Sequence, residues 1–395
     1  MITLGLAPLT LLLFGQVSVV GLVANVVAIP WVTLVVTPLA MLGVLFAPIW
    51  GLATWAINAL SWCLQQFAAV PFAVLSIAQA PPWAGLAAVL GGVVLVLQLP
   101  WSLRLLGVPL MLPMLLWQAP RPPVGEFELL AADIGQGNAV IVRTANHALV
   151  YDTGPRFSLE SDAGHRVLVP LLRAFGEVVD TVMLSHHDTD HVGGALAVLA
   201  MQPQTELISS IEDGHELQRV RPVTRCVAGQ TWTWDGVRFD VLHPKADDYT
   251  VPGQTNLPKS NAMSCVLRIC SYHDRHPDAQ VALLAGDIEA AQEARLVADA
   301  AAIKADVLLV PHHGSKTSSS PTFLDAVHPR LALVQAGYRN RFGHPVPPVM
   351  ERYRERGIEV VNSARCGEET WRSDHPQEVT CQRAAGARYW HHHLP

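Results

Sequence analysis

Ser185-His186-His187-Asp188-Thr189-Asp190-His191-Val192-Gly193-Gly194 is the stretch on which the reading of this chain turns. The apolar run Thr181-Val182-Met183-Leu184 precedes it and predicts a buried parallel strand. The Ala/Leu-rich segment from Ala195 to Ala200 follows it and predicts a helix. Histidines and carboxylates therefore crowd the turn between a strand end and a helix start, where α/β folds carry chemistry on a rigid scaffold. So many metal-competent side chains on one turn, closed by two glycines, read as a metal site and not as a solvated loop.

Neighbouring segments repeat the arrangement. Phe127 to Ala132 predicts a strand, Asp133-Ile134-Gly135-Gln136-Gly137-Asn138 a tight turn, and Ala139 to Thr144 a second strand. Gly-x-Gly alone is a weak phosphate-loop signal, and no helix follows it. Ala148 to Tyr151 is a strand ending in Asp152-Thr153-Gly154. A carboxylate there either caps the turn or orients a metal-ligand histidine. Arg166 to Phe175 reads as a helix, and Glu206 to Val241 as short strands and turns, with a hairpin at Asp235-Gly236. His215 and His243 are isolated and read as ordinary loop histidines. Asp247 to Pro258 is a polar loop. Further strands are expected at Met263–Ile269, Val281–Leu284, Asp306–Val310 and Arg330–Gln335, with a helix from Glu289 to Ala301. The segments ending at Asp152, His186, Asp287, His313 and His344 each offer a metal-competent or proton-transferring group. They make one constellation if the strands lie in two facing sheets with their ends together.

Composition divides the 395 residues sharply. From Met1 to Val124 there is no Asp, Glu, Lys or His, and the only charges are Arg104 and Arg121; all 33 acidic residues lie beyond. The first part reads as a membrane body and the second as a mildly acidic water-soluble domain, the formal net charge of −6 averaging the two. An acidic domain meets nucleic acid only through a local basic patch or metal ions. A span needs about 20 apolar residues. Five are expected, at Ile2–Leu22, Val23–Phe46, Trp50–Val70, Trp83–Leu99 and Leu105–Trp117, a succession that does not fit a cleaved signal peptide. Arg104 between spans favours a cytoplasmic loop there, and Arg121 argues the other way. Gly15, Gln16, Gly21, Asn25 and Pro30 fit either helix packing through small residues or a watery path. The expected division is residues 1–118 as membrane helices, 119–124 as a proline-rich linker and 125–395 as the soluble domain. Of the cysteines, Cys63 and Cys226 read as small buried hydrophobes. Cys265 and Cys270 sit five apart on one strand, facing opposite ways. Cys366 and Cys381 flank a hairpin, and a bridge between them is left open.

These motifs together resemble one family. Asp-Thr-Gly at Asp152, the His/Asp element from His186 to His191, Leu-Ala-Gly-Asp at Asp287 and a late histidine resemble the metallo-β-lactamase-fold hydrolases. Asp-Ile-Gly-Gln-Gly, Ser-His-His-Asp-Thr-Asp-His-Val-Gly-Gly, His-His-Gly-Ser-Lys and Arg-Phe-Gly-His-Pro resemble the DNA-internalisation competence proteins of the ComEC type, as do Phe14-Gly15-Gln16 and Ala24-Asn25. The resemblance implies a polytopic α-helical membrane region followed by an αββα sandwich, in a multi-pass protein of the plasma (inner) membrane. Its soluble domain would face the periplasm or exterior. It also implies that the chain corresponds to the C-terminal portion of such proteins, with more membrane helices and a small soluble domain upstream. Three departures stand out. Asp188 replaces the second histidine of the wider His-x-His-x-Asp-His pattern. Asn261 and Ser264 stand where another histidine is expected. Asn138 stands where relatives often have Asp. Asp188 hardens the site toward Mn²⁺ or Mg²⁺ relative to Zn²⁺.

Two divalent ions, Mn²⁺ or Zn²⁺ with Mg²⁺ as a further option, would suit phosphodiester hydrolysis. His186 and Asp188 are assigned to one ion, Asp190 and His191 to the other, with Asp287 bridging and His313 the last ligand. Asp190, His312 and His344 are the expected catalytic groups, His344 protonating the leaving oxygen. Asp152 orients a ligand histidine, and Ser315, Lys316, Arg339 and Arg341 hold phosphates. The leading expectation is a membrane-anchored nuclease of DNA uptake that degrades the strand not imported. Its partners would be single-stranded or duplex DNA, the lipid bilayer and other uptake components, with homo-oligomers left open. The alternatives are a hydrolase of another substrate on the same fold and a part of the DNA channel that binds without turnover.

Overall fold

Short apolar runs, most of them buried on both faces, build the strands of the second half of the chain, and their order shows how the strand ends converge. The computed structural model describes residues 2–70, 73–249, 259–271, 279–299 and 302–387. These form two units, Met1–Ala119 with Arg173–Gly176, and Pro120–Leu172 with Glu177–Pro395.

In the larger unit an eight-stranded sheet runs in the order Val223–Arg225, Glu206–Ser209, Thr181–Leu184, Ala148–Tyr151, Val140–Arg143, Glu128–Ala131, Glu369–Arg372, Val379–Cys381. A seven-stranded sheet runs Thr231–Trp234, Val237–His243, Val266–Cys270, Val281–Leu284, Val307–Leu309, Leu331–Val334, Glu359–Asn362. Alternate residues of the two sheets face each other in one apolar core, among them Leu129, Val142, Leu149 and Met183 from the first and Leu267, Leu284, Leu309 and Leu333 from the second. The opposite face of the second sheet, with Leu283, Leu308 and Val334, packs against the buried faces of helices Ala290–Ala298, Pro321–Val327 and Pro347–Glu355. The other face of the first sheet is buried as well (Leu130, Ile141, Val150, Val182). Helices Val169–Phe175 and Ala195–Met201 bury Leu172, Val198 and Leu199 on that side. The architecture is helix, sheet, sheet, helix.

Ala148–Tyr151 and Thr181–Leu184 are parallel neighbours, as are Val281–Leu284, Val307–Leu309 and Leu331–Val334. The residues that follow these strands therefore emerge at common edges. Two expectations change here. His243 is not in a loop; it ends a strand, is buried, and donates from Nδ1 to the Ser264 carbonyl at 2.9 Å. Cys226 is not alone; it is paired with Cys265 across a Cα separation of 6.2 Å, a contact between segments 39 residues apart. Cys366 and Cys381 are bridged, with Cα atoms 4.6 Å apart. The polar stretch from Asp247 is described only to residue 249, and the rest of that expected loop lies outside the described residues.

In the smaller unit the expected first span, Ile2–Leu22, is interrupted. Its helix stops at Phe14, Gly15 adopts φ +65°, and Gln16–Ser18 pairs antiparallel with Val74–Ser76. Among the described residues one helix, Val23–Leu45, is long and apolar enough to cross a membrane. Ile49–Ala68 has the length but carries Asn58, Gln65 and Gln66, and Pro82–Val96 is shorter. Gly5–Phe14 and Trp101–Leu115 are likewise apolar helices of shorter length. The helices pack through small residues. A Cβ on Gly91 would sit 2.4 Å from the Gly107 carbonyl oxygen, so Pro82–Val96 and Gly107–Leu115 approach as only glycine permits. Their outer surfaces expose Leu13, Leu34, Leu45, Trp55 and Trp101, an apolar coat that water does not favour.

Candidate metal centre

The His/Asp turn is shaped by backbone crowding before any ligand is considered. A Cβ on Gly194 would meet the Gly164 nitrogen and the Thr153 carbonyl at 2.4 Å, so the last glycine lets the turn lie against the Asp152 turn. Asp152, His312 and His313 adopt φ of 58°, 52° and 54°, a left-handed region costly for residues with a Cβ. Such strain persists where surrounding contacts fix it.

Those contacts are specific. Asp152, buried, accepts from the Ser185 amide (2.6 Å) and hydroxyl (2.8 Å) and from His191 Nδ1 (2.7 Å). His313 Nδ1 donates to the Gln335 carbonyl at 2.9 Å. With both Nδ1 atoms donating to acceptors, it is Nε2 of each ring that offers a lone pair to a cation when the ring is neutral. His191 Nε2 lies 3.2 Å from Asp287 Oδ1, and His313 Nε2 lies 3.6 Å from Asp287 Oδ2 and 3.5 Å from Asp190 Oδ2. His186 packs against His191 with ring centroids 4.1 Å apart. Two donor sets result, His186–His191–Asp287 and Asp190–His191–His313, each with its donor atoms within 4.8 Å of one another.

Four buried atoms here have no hydrogen-bond partner: Nε2 of His186, His191 and His313, and Oδ1 of Asp287. Burying one polar atom without a partner costs about 1–3 kcal/mol, and four of them within two donor sets that share His191 call for bound cations. Electrostatics agrees. Burial pushes the His191 imidazole pKa down, but Asp287 and Asp152 reverse this and hold it well above the ordinary histidine value. Burial pushes Asp287 up, and His191 and His313 outweigh it, holding the carboxyl well below the usual range. The pocket demands positive charge, which a divalent ion supplies without a proton. The residues fit the group.

The other expected site residues divide. Asp188 lies 3.6 Å from His186 Nε2, and that nearby imidazole lowers the carboxyl to about 2, but Asp188 belongs to neither tight set. His312 Nε2 is 3.7 Å from Asp287 Oδ2, and its Nδ1 is 3.6 Å from Glu289. His344 sits beyond, its ring 5.7 Å from His312 and 6.5 Å from His313, lowered by burial and then by those two histidines. Ser315 is buried and bonds Thr317 at 3.1 Å, so it is turned inward, while Lys316, Arg339 and Arg341 are exposed. Three supporting residues escaped the sequence reading. The Ser264 hydroxyl is 3.3 Å from His186 Nδ1 and accepts the Asp287 amide at 3.1 Å. Gln335 ties the two sheets, accepting from the Ala139 amide at 3.0 Å and donating to the Ala132 and Ala139 carbonyls at 2.9 Å. Asn340 organises the loop that holds His344. Only Ser264 stood in a region the motifs marked.

Comparison with known proteins now has a site to be set against. The family model "Competence protein" matches residues 1–102, and that of the metallo-beta-lactamase superfamily matches residues 132–225. Competence protein ComA of Neisseria gonorrhoeae is 34% identical over 363 residues, 90% of this chain and 48% of that protein. The chain carries a competence-protein domain followed by a metallo-β-lactamase domain. Recombination protein 2 of Haemophilus influenzae is 35% identical over 239 residues, 60% of this chain and 27% of its own length. ComE operon protein 3 of Bacillus subtilis is 28% identical over 269 residues, 62% and 32% of the two chains. The chain thus spans about half the length of the gonococcal relative and less of the other two. A solved metallo hydrolase from Ignicoccus hospitalis superposes at TM-score 0.38 and 14% identity, covering 62% of this chain and 98% of that one. The metallo-β-lactamase fold implies divalent-metal binding and a metal-dependent hydrolase.

Proposed function

We propose that the protein serves DNA uptake in natural transformation as a multi-pass plasma (inner) membrane protein whose soluble domain hydrolyses phosphodiester bonds of the strand that is not imported. One observation carries this reading: four unpartnered buried donor atoms converge in a chain that also has a competence-protein domain. Divalent cations held by His186, Asp190, His191, Asp287 and His313, with Asp188 beside His186, would supply an activated water and neutralise charge on the phosphoryl oxygens. Two such ions, with Mn²⁺ favoured by the oxygen donors, fit the two sets. Asp152 fixes the His191 tautomer, and the Gln335 carbonyl fixes that of His313. Asp190 reaches toward His313 and holds a proton acceptor at the water's side. His312 stands 3.7 Å from Asp287, at the mouth, able to hand a proton to the departing oxygen, with His344 next to it. Lys316, Arg339 and Arg341 are exposed cations suited to phosphates.

Residues 1–118, 119–124 and 125–395 are the proposed membrane region, linker and hydrolase domain. The bridge between Cys366 and Cys381 favours an oxidising, periplasmic or exterior side for the hydrolase, and the exposed apolar side chains of the first unit favour lipid contact for more than one helix. Other uptake components are the proposed partners. Ser264 in place of a histidine favours a second reading, in which the domain binds metal or DNA without turnover.

The experiment is hydrolysis of single- and double-stranded DNA by the full chain in detergent with Mn²⁺, beside Asp190→Ala. Cleavage by the parent and a loss of about 100-fold or more in the variant support the nuclease. Binding without cleavage supports the second reading, and turnover of small diesters alone means another substrate.

A further inference from the structure

The 337–344 loop beside the metal centre is built to hold its shape while pushing aromatic rings into water. Asn340 sits at its middle. Its Nδ2 donates to the Gly337 (2.9 Å) and His344 (2.5 Å) carbonyls, and its Oδ1 accepts from the Phe342 and His344 amides, both at 3.1 Å. The Gln136 side chain accepts from the Gly337 amide at 3.2 Å, anchoring the near end. The side chains left outside are Tyr338, Arg339, Arg341 and Phe342. Tyr338 is 49% exposed and Phe342 51%; among the other described Phe, Tyr and Trp rings of the larger unit Phe157 alone is comparably open, at 46%. Each ring carries a guanidinium, Arg339 at 5.2 Å from the Tyr338 centroid and Arg341 at 4.7 Å from that of Phe342. Phe342 stacks on His344 at 5.8 Å, and His344 is 5.7 Å from His312, so the loop leads into the site.

We infer that this loop is a base-stacking platform, on which Tyr338 and Phe342 take up unpaired bases while Arg339 and Arg341 turn to the phosphates between them. It selects single-stranded nucleic acid over duplex as what reaches the metal centre. This rests on the phosphodiesterase reading and names the form of its substrate. Magnitudes decide the exchange. An exposed guanidinium on a ring is worth about two- to fivefold in an equilibrium, whereas a base on the ring is worth about five- to 150-fold. A base therefore displaces the guanidinium, which is then free for a phosphate. Paired bases are already stacked within the duplex and offer no free face along its length, so duplex gains only the charge.

The test is fluorescence anisotropy of the full chain in detergent, with EDTA to prevent turnover, using an oligothymidylate and a duplex of equal length across a salt series. The parent is expected to bind the strand about tenfold or more tighter than the duplex. Tyr338→Ala with Phe342→Ala should weaken the strand about 25-fold or more, leave duplex affinity within about twofold, and keep the salt slope. Arg339→Ala with Arg341→Ala should instead lower the single-strand salt slope by about 1.4. Phe342→Leu keeps an apolar side chain without a π face and must still weaken the strand selectively, which covers a misfolded double variant. Equal affinity of the parent for strand and duplex overturns the platform, as does an unchanged ratio in the ring variants. Failure of the Mn²⁺-loaded parent to cleave overturns the nuclease reading alone, since the metal-free binding ratio still decides the platform.

Discussion

Asp152 touches no open space, yet the chemistry of the site depends on it. Its carboxylate holds Ser185 and His191 together and decides which nitrogen of His191 is free. Asp152→Asn keeps the size but removes a charged acceptor, so divalent-metal affinity should fall about 10–100-fold while the fold persists. Titration calorimetry alongside circular dichroism checks both halves of that expectation. Ser264→Ala deletes the acceptor of the Asp287 amide and the neighbour of His186 Nδ1. A loss of about 1–3 kcal/mol in unfolding free energy is expected from the unsatisfied amide, with weaker metal binding measured in parallel. The His and Asp residues of the cluster were legible in the sequence because they crowd one turn and recur at strand ends. Ser264, Gln335 and His243 were not. Each acts through a partner brought near only by tertiary packing, such as the Gln335 contact with Ala139, 196 residues away.

Strands that end together do the positioning, and the edge of the first sheet shows what that scaffold tolerates. Glu368 precedes the Glu369–Arg372 strand, and burial, then the charges of Glu128 and Asp133, raise it to about 7. Glu369 is buried inside the sandwich and raised by burial in the same direction. Between the ordinary carboxyl range and pH 7 the folded chain therefore binds more protons than the unfolded one, and stability falls as pH rises through that window. Glu368→Gln should flatten the decline, gaining on the order of 1–3 kcal/mol at pH 8 and nothing at pH 4, read from melting curves at both values. The nearby bridge closes a segment with a sequence separation of 15 residues. Cys366→Ser should cost about 3 kcal/mol by loop entropy, with denaturant unfolding as the measure. Strand positions were legible because a short apolar run bounded by turn residues is a local signal. The break at Gly15 was not, because a hydropathy window averages across a single left-handed residue flanked by apolar ones. The pairing of Cys226 with Cys265 joins different segments, which no local pattern reveals.

Two chemistries share one chain, an apolar region whose helices expose leucine and tryptophan and a sandwich whose polar interior gathers at one group of strand ends. Composition alone separates them, since charge begins only after Val124 apart from two arginines. What composition cannot reveal is how many apolar segments are long enough to span a bilayer, because length is set by where each helix stops. With its cations held by the donors described, the larger unit should gain about 2.7 kcal/mol of stability, seen as a raised melting point, at a hundredfold excess of divalent ion over the dissociation constant. The unpartnered atoms of His186, His191, His313 and Asp287 are decided as a metal centre by calorimetric titration of the full chain with Mn²⁺, beside Asp287→Ala shown by circular dichroism to be folded. Saturable binding by the parent that disappears in the variant is expected; a parent that binds no Mn²⁺, or a folded variant that binds it as well, overturns the assignment.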